Sequence, residues 1–498
     1  MQDNYNTASV EAKENKGEIS ALPTVEELRA ALAKTQSSSI RGILSALFDE
    51  ATFSELGVYT KRHFSEFSDG DDTLDLEGVI YGYGAIDGRL AYAFGQDLSR
   101  KEGAMDERHA EKILSLYRLA IKNNAPVIGI FNSIGADIFD GVSALAGYGR
   151  IMKSVAEASG KIPQIAIVAG ECTGTLAPLA SMFDFMIGVR GAAFYVNNTG
   201  DEQEEQDWPL STAAMIAKDG ITAAQDTRLL LSYLPSHAGE GVVRLSPTDS
   251  LNRMLGDPDF GGNLGYAVRA MADNGIYQEI TAGYAPDMLT AFAMIGGIRC
   301  GVLGNRLLDA QAKLGSKEAK KAARFISFCD AFHLPVITFV DAAGLAEENE
   351  DGGLYASALA SLSFAYAKAE VPKVTIILGS AIGGAFVLMG SKAMGADVVY
   401  ALDTAEIGPM TTEASVAFVW NDKITLETGR DELEAVWRSS LSSPVSAAFR
   451  GEVDDIISLD EMRQKVVSAL YMLADKGLKI EKRHTVLPLS GRRRYVFA

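Results

Sequence analysis

The feature that most constrains this chain is a register: blocks of its sequence recur at a fixed separation of 209 positions. The stretch IPQIAIVAGECTGTL, 162–176, returns in outline as VPKVTIILGSAIGGA, 371–385. Pro163, Gly170 and Gly174 thus answer to Pro372, Gly379 and Gly383. NAPVIGIFN around Pro126 and HLPVITFVD around Pro335 keep the same separation. Chance matches in separate blocks would not share one offset, so the chain holds two copies of one domain. Each copy reads as a buried strand, a glycine turn and a helix start.

At 498 residues there is room for two large domains, and a hydrophobic content of 47% can bury a core in each. The formal charge of −19 argues against a nucleic-acid surface, while a local basic rim could still meet a phosphate ligand. Cys172, Cys300 and Cys329 lie far apart, without metal or disulfide spacing, and read as reduced core thiols. The polar start does not read as a secretory signal, and no apolar run has the length of a membrane span. A cytoplasmic location is expected.

In chain order, residues 1–22 read as a flexible leader. PTVEELRAALAKTQ and SSSIRGILSALFD are helices, the first entered through Pro23 and Thr24 with Glu26 and Glu27 in its first turn. LEGVIYGYGAIDGRLAYAFGQD alternates and carries Asp87-Gly88, which predicts an antiparallel hairpin. Then a helical face of Ile113, Leu114, Leu116, Tyr117 and Ala120 leads into short apolar strands such as PVIGIFN, PQIAIVAG and FDFMIGV. These lack strict alternation, as strands covered on both faces do. Helix and strand in turn, with loops at the strand carboxyl ends, mean an α/β fold with crossover connections. The acidic run DEQEEQDWP, 201–209, reads as a solvated loop. An aperiodic Ser-, Pro- and Gly-rich stretch after Pro235 marks a boundary, giving domains at 23–240 and 261–498 with a linker at 241–260. In the second domain IRCGVLGN, PVITFVDAAG and KVTIILG are strands, while SKEAKKAARFISFCDAFH and EMRQKVVSALYMLADKG are helices.

A helix that starts just after a strand presents unpaired N–H groups, which stabilise negative charge, and glycine there admits a ligand oxygen. One such turn is as well explained by close packing; two equivalent turns point to oxyanion holes for a thioester carbonyl. Neither has the spacing of a nucleotide fingerprint. His63, His109, His237, His333 and His484 show no HxH or HExxH spacing, so no metal is expected. Cys172, inside the first turn, reads as a structural thiol before a nucleophile. Glu171 and Glu406 are candidate acids or bases, the latter more simply a strand-end hydrogen-bond acceptor. The lack of an obvious base fits chemistry in which the leaving group of one substrate deprotonates the other.

Over most of its length the sequence resembles the carboxyltransferase component of biotin-dependent acyl-CoA carboxylases. The likeness is to the β type of propionyl-CoA and acetyl-CoA carboxylases and to the α subunit of sodium-pumping methylmalonyl-CoA decarboxylases. EGVIYGYGAIDGRLAYAFGQD, ASGKIPQIAIVAG, KKAARFISFCDAFHLPVITFVDAAG, AEVPKVTIILGSAIGGA and TAEIGPM carry it. The resemblance implies duplicated crotonase-like domains of the ClpP/crotonase superfamily, each a ββα superhelix, in a homohexamer (a trimer of dimers) whose active sites are shared between subunits. It implies transfer of a carboxyl group between carboxybiotin and the α carbon of a short-chain acyl-CoA. Biotin would arrive on a biotin carboxyl carrier protein that works with a biotin carboxylase subunit, since the chain has no AMKM-like attachment site. Membrane contact would come only through a decarboxylase pump.

Carried over residue by residue, the resemblance implies that Gly174 and Thr175 would hold the enolate oxygen of the acyl-CoA. Gly383, Gly384 and Ala385 form the second hole, with Gly344, Gly384 and Ala385 on the biotin side. Gly135 and Ala136 would belong to the acyl-CoA side, and Lys317, Lys320 and Lys321 either to a basic rim for its phosphates or to an ordinary helix surface. Several positions depart from the family pattern, among them the late segment NNTG and the acidic insertion after it, which stand where the family has TGP. Thr175 stands at a glycine position and is expected to disturb the first hole, because threonine resists positive φ. Asp137, in NSIGADI, replaces an arginine and removes a positive charge. Val387, in AIGGAFV, replaces an aspartate associated with acyl-group choice. The residues leave open the direction of transfer, a non-catalytic structural paralogue and, more remotely, a hydratase or thioesterase.

Overall fold

The computed structural model describes residues 23–33, 38–62, 76–197, 213–254, 263–306, 313–347, 353–425 and 428–476. The leader, the acidic run, the end of the linker, His63 and His484 lie outside the described residues.

Two eight-stranded sheets organise the chain. The first contains β1 (Ser54–Leu56), β2 (Val79–Ile86), β3 (Arg89–Gln96), β4 (Val127–Ser133), β5 (Gln164–Thr173), β6 (Phe185–Val189), β7 (Phe194–Tyr195) and β8 (Met215–Ala217). The second contains β9 (Tyr277–Glu279), β10 (Met288–Ile295), β11 (Ile298–Asn305), β12 (Val336–Ala342), β13 (Lys373–Ile382), β14 (Val398–Leu402), β15 (Glu406–Gly408) and β16 (Asp455–Ile457). The order is β1-β2-β3-β4-β5-β6-β8, with β7 on the end of β5, and β9-β10-β11-β12-β13-β14-β16, with β15 on the end of β13. Both sheets open with antiparallel strands and continue parallel from β3 and β11 onward.

The repeat is visible residue by residue. The bounds of β2, β3, β4 and β5 and of the helix Glu107–Lys122 recur 209 positions later as β10 to β13 and the helix Ser316–Ala331. The repeated prolines sit just before strands, where a missing N–H costs no ladder bond. Their carbonyls are used: Tyr92 and Gly301 donate to Pro126 and Pro335 at 2.9 Å, and Val127 and Val336 to Pro163 and Pro372 at 3.0 and 2.8 Å. Asp87 and Gly88 both have positive φ (49° and 74°), as a two-residue hairpin turn with the sheet's own twist demands. Gly296 and Gly297 (58° and 78°) make the matching turn between β10 and β11.

Helices cover both faces of the sheets, and one apolar cluster runs through both units. At the seam Phe185 packs edge-on against Phe292 and Phe328, with centroids 5.8 and 4.8 Å away, and Thr281 N–H donates to the Ala214 carbonyl at 2.7 Å. The three cysteines are buried free thiols. After the glycine turns the copies diverge. Between β15 and β16 the second unit inserts the helices Thr412–Val419, Arg430–Ser440 and Pro444–Phe449, held by Trp420 against Trp437 at 4.7 Å, with no counterpart among the described residues of the first. Among the described residues no helix is long and apolar enough to cross a membrane.

Candidate active site

The site is built twice from the same parts. Near the carboxyl end of β4 the register with β5 shifts, and the Asn132 carboxamide accepts from Glu171 N–H at 3.1 Å. β12 does the same, with Asp341 accepting from Ser380 N–H at 2.8 Å. This explains Gly170 and Gly379. A Cβ there would stand 2.2 Å from Asn132 Oδ1 and 2.4 Å from Asp341 Oδ1. Burial pushes the Asp341 carboxyl up, against the bond from Ser380.

Each strand then ends in a glycine of positive φ, Gly174 at 60° and Gly383 at 57°. Their N–H groups are already spent, on the carbonyls of Tyr195 at 3.0 Å and Gly408 at 2.8 Å. These two glycines therefore set the turn and do not donate to a ligand. The next two amides, Thr175 and Leu176 in one unit and Gly384 and Ala385 in the other, open short helices and meet no acceptor among the described residues. Paired, pre-aimed N–H groups of this kind can hold an oxygen that gains negative charge.

The expected disturbance by Thr175 is corrected by its dihedrals. Thr175 lies at φ −67°, ψ −16°, a helical conformation open to any residue, because Gly174 takes the positive φ. Its side chain is matched elsewhere. The neighbouring loops form equivalent bridges, Met105 with Ala136 and Leu314 with Leu345. A Cβ on Gly384 would come within 2.8 Å of the Leu345 side chain. The second unit thus pairs Gly384 with Leu345, and by the 209 register the corresponding residues of the first are Thr175 and Ala136.

Gly135 and Gly344 lie in these loops with φ 123° and 128°, and their carbonyls accept from Met105 and Leu314 at 2.8 and 3.0 Å. Thr173 Oγ1 donates to the Ile134 carbonyl at 3.2 Å and ties the first loop to its turn. Asp137 does not leave a bare negative charge, for Arg62 is 2.6 Å from its Oδ2. Arg62 was invisible to sequence reasoning, since nothing in the spacing links it to Asp137.

Cys172 is buried beneath the turn, and burial pushes its thiol far above the ordinary range, so it is not a nucleophile. Glu406 is engaged structurally, accepting from Thr412 N–H and Oγ1 at 2.9 and 2.6 Å. Val387 is exposed on the helix Gly384–Leu388. Lys317 and Lys320 lie on the helix Ser316–Ala331 of the second unit, not on the unit that carries Gly135 and Ala136. Lys321 is removed from the basic rim: it is buried and donates to the carbonyls of Thr281, Tyr284 and Ala285 at 2.8, 2.8 and 3.3 Å. Burial draws its ammonium down to about 8, against the pull of Glu279.

The carboxyl transferase domain model matches residues 36–204 and 211–487. The chain belongs to the carboxyl transferase family. This carboxyltransferase is 35% identical over 475 residues to the methylmalonyl-CoA decarboxylase α subunit of Veillonella parvula, covering 90% of the chain and 92% of that protein. It is 32% identical over 472 residues to the carboxyltransferase subunit of propionyl-CoA carboxylase from Haloferax mediterranei, covering 89% and 91%. In structure it is similar to the transcarboxylase 12S hexamer solved with methylmalonyl-coenzyme A and methylmalonic acid, with a TM-score of 0.82, 28% identity and coverage of 93% and 97%. The fold is the duplicated crotonase-like α/β fold, and the protein is an acyl-CoA carboxyltransferase.

Proposed function

We propose that this subunit moves a carboxyl group between biotin and a short-chain acyl-CoA, with residues 23–240 taking the thioester, 261–498 taking biotin and 241–260 joining them. The observation that supports this is the pair of like-built turns, each leaving two adjacent amides without an acceptor among the described residues. Thr175 and Leu176 N–H receive the thioester oxygen as it becomes an enolate. Gly384 and Ala385 N–H receive the ureido oxygen of biotin. An edge of donors only, with open space where a Gly344 Cβ would lie, fits such an oxygen. Bound biotin supplies the carboxyl group and the base for the α proton, so the chain needs none of its own, in keeping with a buried Cys172 and an engaged Glu406. Losing one donor of such a hole costs on the order of 10²–10³ in rate.

Biotin comes on a carrier protein charged by a biotin carboxylase subunit, and the chain works in the cytoplasm as a homohexamer. Support for assembly is the hexamer of the transcarboxylase relative and exposed apolar side chains on both units, Ile138 and Val142 at 82% and 79%, Phe418 and Phe449 at 82% and 88%. Val387 takes part in acyl-group choice, and Lys320 in the rim that meets CoA. The decarboxylase direction is a second reading, favoured by the 35% identity to the Veillonella α subunit.

Isotope exchange with free biotin and acetyl-, propionyl-, malonyl-, methylmalonyl- and glutaconyl-CoA tests the assignment. Biotin-dependent exchange or decarboxylation with one of them is expected. Turnover that needs no biotin would mean a hydratase or thioesterase, and none at all would mean a structural paralogue.

A further inference from the structure

We propose that Arg62 is a positioning residue for the acyl-CoA side: by gripping Asp137 it fixes the loop 134–137 against the first turn. The inference rests on the assignment of that turn to the thioester.

Arg62 is only 4% exposed. Its Nη2 is 2.6 Å from Asp137 Oδ2 and 3.5 Å from the Ala104 carbonyl, and its Nε is 3.4 Å from Asp106 Oδ2. Asp106 in turn caps the helix Glu107–Lys122 through His109 N–H at 2.8 Å. Glu77 and His109, paired at 3.0 Å, complete the buried surroundings. One guanidinium thus joins the start of a core helix to the loop. A buried guanidinium is costly to leave unpaired, and of its carboxylate neighbours Asp137 is the one in direct contact, at 2.6 Å, so this ion pair holds the loop.

The loop has backbone ties of its own. Ile134 N–H donates to the Glu102 carbonyl at 3.2 Å and Asp137 N–H to the Met105 carbonyl at 2.9 Å. From the loop, the Ile134 carbonyl takes the Thr173 hydroxyl, one residue before Gly174. A path of named contacts therefore runs from Arg62 through Asp137 and the loop to the amides of Thr175 and Leu176.

The second unit is an internal control. Its bridge forms without the clamp: Ala346 N–H donates to the Leu314 carbonyl at 3.0 Å, where the first unit has Asp137. At the position of Thr173 it has Ile382, which carries no hydroxyl. The side-chain clamp and the hydroxyl tether are both additions of the first unit, and neither is needed to fold the loop.

Three variants of the full chain decide it: Asp137→Asn, Arg62→Met and the conservative Asp137→Glu. Hydrogen exchange of amides in 134–137 and 173–174 is compared with 343–346 and 382–383. Asp137→Asn, which leaves Arg62 beside Asp106, should speed exchange in the first two segments at least about tenfold and leave the others unchanged. In transfer assays it should lower kcat/KM for acyl-CoA by about tenfold or more, as expected of a sub-ångström misplacement, with the KM for free biotin unaltered. Asp137→Glu should recover most of that loss. Unchanged exchange in both Asp137→Asn and Arg62→Met overturns the clamp. Faster exchange with unchanged acyl-CoA kinetics, or an equal loss toward biotin, overturns the positioning role. If the wild-type chain transfers to no acyl-CoA, the functional assignment fails, and exchange alone still decides the clamp.

Discussion

The exchange of sizes between the two turns can be tested by forcing it. Gly384 does not have positive φ, so threonine there meets a steric obstacle and no backbone one. Even the Cβ would be 2.8 Å from Leu345 Cδ1 and 3.0 Å from Cγ. Carbon atoms rest near 3.5–4.0 Å, so Leu345 must retreat by about 1 Å. Overpacking of this kind costs about 1–3 kcal/mol. At roughly 2–4 °C per kcal/mol, Gly384→Thr should lower the melting temperature of the second unit by several degrees. It should also cut biotin-dependent transfer more than tenfold by displacing the Gly344 loop. Leu345→Ala alone, at a half-buried site, should cost about 1–2 kcal/mol, less than a fully buried leucine. The double variant recreates the threonine–alanine pairing of the first unit and should be more stable than the two losses together by about 1–2 kcal/mol. Calorimetric melts of the four proteins, with exchange assays alongside, close the cycle. Additivity within about 0.5 kcal/mol would refute the size exchange.

Three other outcomes follow. Excess N-ethylmaleimide at neutral pH should leave activity intact, because Cys172 is buried with its thiol pushed up; inactivation that acyl-CoA slows would instead mark Cys172 as a reactive thiol within reach of the substrate. Burial holds the Asp184 carboxyl up to about 7, against a bond from Gln164 N–H, so its fold favours the protonated acid. Stability should then be fullest below the usual carboxylate range and decline as pH rises through about 7, and Asp184→Asn should raise the melting temperature at pH 8 but not at pH 4; an equal effect at both would count against it. Lys321→Met should cost about 1–3 kcal/mol by orphaning buried carbonyls, with the KM for acyl-CoA within about twofold of wild type, and a raised KM without lost stability would return Lys321 to the CoA rim.

The duplication, the first hairpin and both turns are legible because proline, glycine and Asp-Gly do local work that spacing reveals. The strand MLTAFAMI is not, since it is apolar throughout and shows no alternation, although the 209 register places it opposite VIYGYGAI. The Ala- and Ser-rich helix Leu354–Lys368 has no sharp apolar face, and the three-helix insertion has no copy to be recognised by. At the site, the sequence cannot say which residue of Gly174-Thr175 takes the positive φ, and that decides whether threonine is tolerated. Nor can it show that Asp137 answers to Arg62, or that Lys321 turns inward, because both facts arise only when distant segments pack.

The aromatic seam also bears on where movement belongs in a turnover. Phe185, wedged against Phe292 and Phe328, and the bond from Thr281 to Ala214 brace the two halves against hinging. Handing a group from one station to another needs something that travels. With the two turns braced in each chain, the proposed function puts the travelling part outside it, on a carrier that would bring biotin, and the length and freedom of the tether would then set the pace of delivery.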